Sequence, residues 1–261
     1  MKKSTLLGVI GACALLVVAS FSMAKPATLK RSFDVEQGGS LFIDSDAGSI
    51  EVSTHDRDTI EVEVDKRGRN ADDFTVTMDQ SGDDLKIYGK KSSGNWFSGF
   101  SLDVHYKVVV PTRYDVHLRT GGGGIEVANL TGDIDAHTSG GGIRVGDIIG
   151  DVDVRTSGGS IKVGEVAGNL KAHTSGGSIT AKITKQPTED SALTTSGGSV
   201  TAYLAPGIAV DLEARTSGGS VSSEIPVNGT LKQTRIKGEI NGGGPRLKLA
   251  TSGGSVRIKE L

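Results

Sequence analysis

The stretch that decides the fold is "TSGGSIKVGEVAGNLKAH" at 156–173. Ile161 and Val163 alternate with Ser160 and Lys162, and beyond a turn around "GEVAG" Leu170 and Ala172 alternate with Asn169, Lys171 and His173. A period of two marks a half-buried strand, so this unit holds at least two short strands joined by bends. The unit before it repeats the pattern with Ile143, Val145, Val152 and Val154, and the one before that with Ile125, Val127, Ile134 and Ala136.

The threonine that opens each unit fixes the period. Thr120, Thr138, Thr156 and Thr174 are 18 residues apart, and Thr195, Thr216 and Thr251 follow at steps of 21, 21 and 35. Self-similarity at a fixed short period is the signature of an architecture in which each unit buries its face against its neighbours. Near-identical residues in register suit successive coils stacked in parallel at about 4.8 Å per coil, with the right-handed crossover general to such connections. The sequence therefore predicts an all-β, right-handed parallel β-solenoid with coils of about 18 residues. An "SGGS" link also suits a two-residue hairpin, so an antiparallel β-sandwich or meander is the alternative. Within a solenoid the paired glycines are corners, using the positive φ that glycine accepts. The same turn could form an anion-binding nest. However, no copy continues as "GxxxxGK[ST]", and the aspartate of the calcium-binding nonapeptide is missing.

Of 261 residues only 36% are hydrophobic and 4% aromatic, while 38 are glycine, so the core must be thin and aliphatic. The first 24 residues read as a signal peptide: "MKK", the apolar "LLGVIGACALLVVASF", and "SMA" ending at Ala24. An uncleaved apolar stretch would instead serve as an anchor. Cleavage removes Lys2, Lys3 and the lone Cys13, leaving 27 basic and 31 acidic residues and a net charge of −4 with His neutral. That balance predicts no nucleic-acid partner, and without cysteine there is no disulfide framework or thiolate metal site. Residues 25–118 read as irregular N-terminal β coils or a cap, and 119–261 as the glycine-rich solenoid.

Two surfaces are candidates for binding. The loop "KKSSGNWFSGFS" carries Trp96, Phe97 and Phe100 among Gly and Ser, either to grip a partner or to cover an open end of the stack. With one coil per 18 residues, Asp133 and Asp151 stack above Asn169, and Asp135 and Asp153 fall between His117 and Lys171. His137, Arg155 and His173 form a neighbouring column. Four carboxylates on one face could hold calcium or supply an acid/base pair; the simpler reading is a solvated face of mixed charge. His137 and His173, two coils apart, are too distant to share one zinc. No metal site and no cofactor are expected.

Enzymatic signatures are missing. "RIK" at 235–237 and 257–259 matches one short motif of polygalacturonases, but no "NTD" or "GHG" accompanies it, and "GxSxG" is absent. The charged residues Arg257, Lys259 and Glu260 are expected on the last strand, where they would discourage edge-to-edge assembly. "GEINGGGPRLKLA" after the insertion "SSEIPVNGTLKQTR" reads as an extra, degenerate coil.

The succession "GSLFIDSDAGSIEV", "VHYKVVVPTRYDVHLRTGGGGIEV", "GDVDVRTSGGSIKV" and "INGGGPRLKLATSGGSVRI" resembles the bacterial putative-adhesin family, a domain of unknown function with β-helical members in the cell envelope. The resemblance runs from about Phe33 to Ile258 and rests on glycines and alternating apolar residues. It implies an exported β-solenoid and carries no catalytic residues. The function expected is a non-enzymatic binding or interaction module at the periplasm or cell surface, with an envelope protein, a glycan or a second copy of itself as partner. No membrane span is expected after signal cleavage. The alternatives are a periplasmic scaffold and a carbohydrate-active β-helix enzyme.

Overall fold

The computed structural model describes residues 27–92 and 101–261, so the signal-peptide stretch and the three aromatics Trp96, Phe97 and Phe100 lie outside the described residues. Strands β1 (Ala27–Asp34), β2 (Ser40–Ser45), β3 (Ser49–His55), β4 (Thr59–Arg67), β5 (Phe74–Ser81), β6 (Asp84–Lys91) and β7 (Asp103–Pro111) build the N-terminal end. The repeats follow as β8 (Asp115–Thr120), β9 (Ile125–Val127), β10 (Leu130–Thr131), β11 (Ile134–Thr138), β12 (Ile143–Val145), β13 (Ile148–Ile149), β14 (Val152–Thr156), β15 (Ile161–Val166), β16 (Leu170–Thr174), β17 (Ile179–Ile183), β18 (Ser191–Thr195) and β19 (Val200–Leu204). The C-terminal end comprises β20 (Val210–Thr216), β21 (Val221–Ser223), β22 (Asn228–Lys232), β23 (Arg235–Ile240), β24 (Arg246–Thr251) and β25 (Val256–Glu260). No helix occurs among the described residues, and none is long and apolar enough to cross a membrane.

The chain alternates between two sheets, and each rung gives one strand to each. In space the rungs run β6/β7, β2/β3, β8/β9, β11/β12, β14/β15, β16/β17, β18/β19, β24/β25, β20/β21. Every pairing between neighbouring rungs is parallel. The parallel coil expected from the repeats is thus present, and the antiparallel alternative survives only at the ends. There β4 and then β1 cover β7, β5 covers β6, and β23 followed by β22 covers β20, all antiparallel.

Register explains the thin core. Leu41, Val116, Ile134, Val152 and Leu170 stand in line in one sheet. Ile50, Ile125, Ile143, Ile161, Ile179 and Val200 do the same in the other. All are at most 2% exposed. Each aliphatic side chain contributes on the order of 1.5–3 kcal/mol by leaving water, and branched side chains fit the pleat.

Inside the glycine corner sits a polar line. Thr120, Thr138, Thr156, Thr174, Thr195, Thr251 and Thr216 are buried. Their hydroxyls donate to the carbonyls of Gly48, Gly123, Gly141, Gly159, Gly177, Gly198 and Gly254, respectively, at 2.6–2.8 Å. Each hydroxyl bonds the rung before it, so a carbonyl at the turn that would otherwise be orphaned in the interior is satisfied. The last serine of the motif extends the tie. Ser160 Oγ accepts the Ser178 N–H at 3.1 Å, Ser178 Oγ the Ser199 N–H at 3.0 Å, and Ser199 Oγ the Ser255 N–H at 3.2 Å.

The corner glycines serve close approach more than torsional freedom. Of the glycines in the seven threonine-led corners only Gly123 has positive φ. A β-carbon on Gly141, Gly159, Gly177 or Gly198 would overlap the carbonyl oxygen of the matching glycine one rung back. Positive φ is required instead at the turn Asn241–Gly243 (52°, 91° and 82°), which sends the chain from β23 back into β24.

That turn corrects the expectation of an extra coil. The long step to Thr251 contains the hairpin β22–β23, which caps β20. The final unit then enters between β19 and β21 rather than adding to the end. Arg257 and Lys259 consequently lie on an interior strand, with Lys259 Nζ 3.2 Å from Glu224. The C-terminal edge of that sheet is the three-residue β21. The N-terminal end repeats the device, because β2/β3 is enclosed by β6/β7 and β8/β9. Ser45 and Gly89 replace threonine there, and the Tyr106 hydroxyl lies 2.9 Å from Ser45 Oγ. Burial pushes the Tyr106 phenol up to about 12.

At the opposite corner Asp115 Oδ1 accepts the Asp133 N–H, Asp133 Oδ1 the Asp151 N–H, Asp151 Oδ1 the Asn169 N–H, and Asn169 Oδ1 the Glu189 N–H, each at 2.8 Å.

Substitutions at three positions test this packing. Thr156→Val keeps shape but strands the Gly141 carbonyl and should cost about 1–3 kcal/mol in urea unfolding, whereas Thr156→Ser should cost much less. Gly159→Ala should cost about 1–3 kcal/mol through overlap with the rung below. Gly122→Ala, whose β-carbon meets nothing within 4 Å, should stay within about 0.5 kcal/mol of the parent.

Candidate functional site

The SGGS corners form a ridge along the stack, with an open trough on either side. On the β12/β15 side, about 740 Å³ is lined by Glu51, Glu126, Arg144, Lys162, Ser160 and Ser178 among others. Its charges are mixed, Glu51 and Glu126 being followed by Arg144 and Lys162, and Arg144 Nη1 meets Glu126 at 3.4 Å. On the β11/β14 side, about 870 Å³ is bordered by Arg119, His137, Arg155 and His173 and by Ser139, Ser157 and Ser175. A smaller trough of about 400 Å³ continues from His173 past Ser196, Ser252 and Ser217 to Arg215 and Lys248.

The side chains of this second side are placed by strand alternation. The residue before each buried threonine points outward, because neighbouring positions on a strand face opposite ways. Across eight adjacent strands of the sheet this position reads Arg119, His137, Arg155, His173, Thr194, Ala250, Arg215, Arg235. The row contains four arginines, two histidines and no carboxylate. Arg155 pairs with Asp153 at 2.7 Å, and its Nη1 lies 3.3 Å from His137 Nε2. Arg235 reaches Glu213 at 3.8 Å.

The N-terminal limit of the trough is of mixed charge, with Asp44, Asp46 and Lys91. Asp44 and Asp46 both bind Lys90, at 3.1 and 3.3 Å. Partial burial would raise the Asp46 carboxyl, but the Lys91 N–H at 3.0 Å and the Lys90 ammonium outweigh it and hold the group below the usual carboxylate range.

The four aspartates singled out in the sequence divide into two pairs. Asp133 and Asp151 lie in the corner ladder, each with one oxygen on the backbone of the next rung. Asp135 and Asp153 are in register on β11 and β14. Asp135 Oδ1 is 3.5 Å from His137 Nδ1, while Oδ1 of each lacks a hydrogen-bond partner. Among the described residues no three acidic, histidine or cysteine side chains converge as a metal site would require. Sequence reasoning found His137, Arg155 and His173 as a column but missed its extension. Arg119 was readable, being 18 residues before His137. Arg215, the residue before Thr216, was readable in the same way, whereas Arg235 was not, because it joins the row through the antiparallel strand β23.

No curated protein matches the chain. Among solved structures, a putative adhesin from Bacteroides fragilis NCTC 9343 is 14% identical with a TM-score of 0.41, over 92% of this chain and 99% of that one. A putative cell adhesion protein from Clostridium sporogenes ATCC 15579 is 12% identical with a TM-score of 0.36, over 91% of this chain and all of that one (100%). A putative lipid binding protein from Parabacteroides distasonis ATCC 8503 is 14% identical with a TM-score of 0.28, over 88% and 96%. Residues 39–152, from the glycine before β2 to the first residue of β14, match the family model described as Toastrack DUF4097. Over that stretch the chain is similar to the Toastrack family, a domain of unknown function.

Proposed function

We propose that the protein is exported and serves as a non-enzymatic binding module of the cell envelope, holding a partner along the side of its rung stack. The observation that supports this reading is the form of the two open surfaces beside the SGGS ridge. They are shallow troughs crossing several strands, lined by side chains whose spacing is fixed by parallel pairing on both edges of each strand. Such a surface matches an extended partner and holds it at many points. The "MKK…SMA" leader supports export. In this proposal Asp135 and Asp153 orient His137 and Arg155 rather than binding a metal, and Trp96, Phe97 and Phe100 add aromatic contacts to the partner.

Fractionation of the native host, with mass spectrometry of the N-terminus and retention of the purified protein on isolated envelopes, tests the proposal. The expected result is a chain starting at Lys25, found outside the inner membrane and retained on envelopes. An intact Met1 chain confined to the cytosol, or a protein that washes freely from envelopes, contradicts it.

A further inference from the structure

From the eight-strand row we infer that the trough beside the SGGS ridge binds a linear acidic polysaccharide, its carboxylates meeting the arginine row and its hydroxyls the serine row. The inference rests on the binding-module reading and names the partner's chemistry. Three features of the surface carry it.

The row itself is basic, although Arg155 and Arg235 pair with Asp153 and Glu213 of the neighbouring outward row. The chain has net charge −2, yet the row from Arg119 to Arg235 holds four arginines and no acid. Neither Arg119 nor Arg215 takes part in any of the ion pairs among the described residues. Both are exposed. Guanidinium groups are the side chains best matched to carboxylates in planar, two-point contact. The trough on the other side of the ridge offers no such row, since Glu51 and Glu126 stand there in file with Arg144 and Lys162.

Spacing makes the site linear. At about 4.8 Å between strands, the row is a straight file of roughly 34 Å over seven intervals. A partner with anionic groups repeating along one axis meets several arginines at once, and the contacts add as linked sites do.

Beside the arginines runs a second file. Ser139, Ser157, Ser175, Ser196, Ser252 and Ser217 are all exposed, all border the troughs, and follow each buried threonine. A hydroxyl both donates and accepts, which suits sugar hydroxyls. A single-stranded nucleic acid would need aromatic platforms for its bases, and no Phe, Tyr or Trp occurs on the outward side of β8, β11, β14, β16, β18, β24, β20 or β23. At the N-terminal end of the trough Asp44 and Asp46 stand beside Lys91 and pair with Lys90, so the basic row ends there in a charge-balanced patch.

The test is titration calorimetry of the purified protein with sodium alginate, neutral dextran and single-stranded DNA, repeated with the triple variant Arg119→Ser, Arg155→Ser, Arg215→Ser. The expected result is binding to alginate, none to dextran, a loss of affinity with added salt, and about tenfold or weaker binding by the triple variant. Its melting temperature should be that of the parent, because all three side chains are exposed. Should that variant fail to fold, Arg119→Ser with Arg215→Ser is used, with a loss of at least about threefold expected. Absence of alginate binding at low salt, alginate binding unchanged in the folded variant, or tighter binding to DNA than to alginate overturns the inference. A protein that ignores alginate yet is retained on isolated envelopes refutes the ligand class alone, whereas failure in both assays refutes the binding-module reading as well.

Discussion

The hydrogen bond from each buried threonine to the glycine carbonyl one rung below is the contact on which the rest of the architecture depends. A corner that turns within the interior exposes a backbone carbonyl to an apolar surrounding, and an unpaired group there costs on the order of 1–3 kcal/mol. Threonine meets this need while its methyl group remains part of the aliphatic wall, which neither serine nor valine does equally. The bond also draws neighbouring corners together until a β-carbon on the second glycine has no room. Threonine and glycine in the motif are thus two consequences of one close approach, and the straight outer rows follow from it. Equal corners keep every strand in register, so outward side chains line up over many strands.

Stacked parallel rungs must end somewhere, and an open sheet edge invites pairing with other chains. This chain handles both ends by returning on itself. At the N-terminal end, β2/β3 is enclosed when β6/β7 and β8/β9 pair on its two sides, and β4, β1 and β5 then add antiparallel covers. At the C-terminal end, the hairpin β22–β23 covers β20 before β24/β25 slips in beneath it. At the C-terminal end of the other sheet the edge is the short β21, whose three residues offer little to pair with, while the covering strands β1, β5 and β22 form the remaining edges.

Much of the repeat region could be read directly. Ile143, Ile161 and Ile179 recur at 18-residue steps because each faces the same interior, and a local period survives in the sequence. Two things could not be read. The order of the last two units depends on which edge a hairpin covers, a contact between residues far apart in the chain that leaves no periodic trace. The roles of Asp133 and Asp151 were hidden for another reason. A carboxylate bonding a backbone amide and one awaiting a cation have the same spacing, and only the 2.8 Å contacts to Asp151 and Asn169 separate them. The glycines were legible as corners, but the cause lies mainly in crowding from the rung below, which torsional preference does not reveal.

Order at the C-terminal end sets the spacing of the arginine row, since Ala250 of β24 stands between Thr194 of β18 and Arg215 of β20. Disulfide trapping measures that order directly. With Cys13 replaced by serine, cysteine pairs are introduced at exposed Ser196 and Ser252, Ser252 and Ser217, or Ser196 and Ser217. Neighbouring rungs stand about 4.8 Å apart, within reach of a disulfide, while a two-rung gap of about 10 Å exceeds the roughly 7 Å limit between α-carbons. The account predicts rapid bridging of the first two pairs and none in the third. Bridging between positions 196 and 217, with none between 196 and 252, would show that the units stack in sequence order and would contradict it.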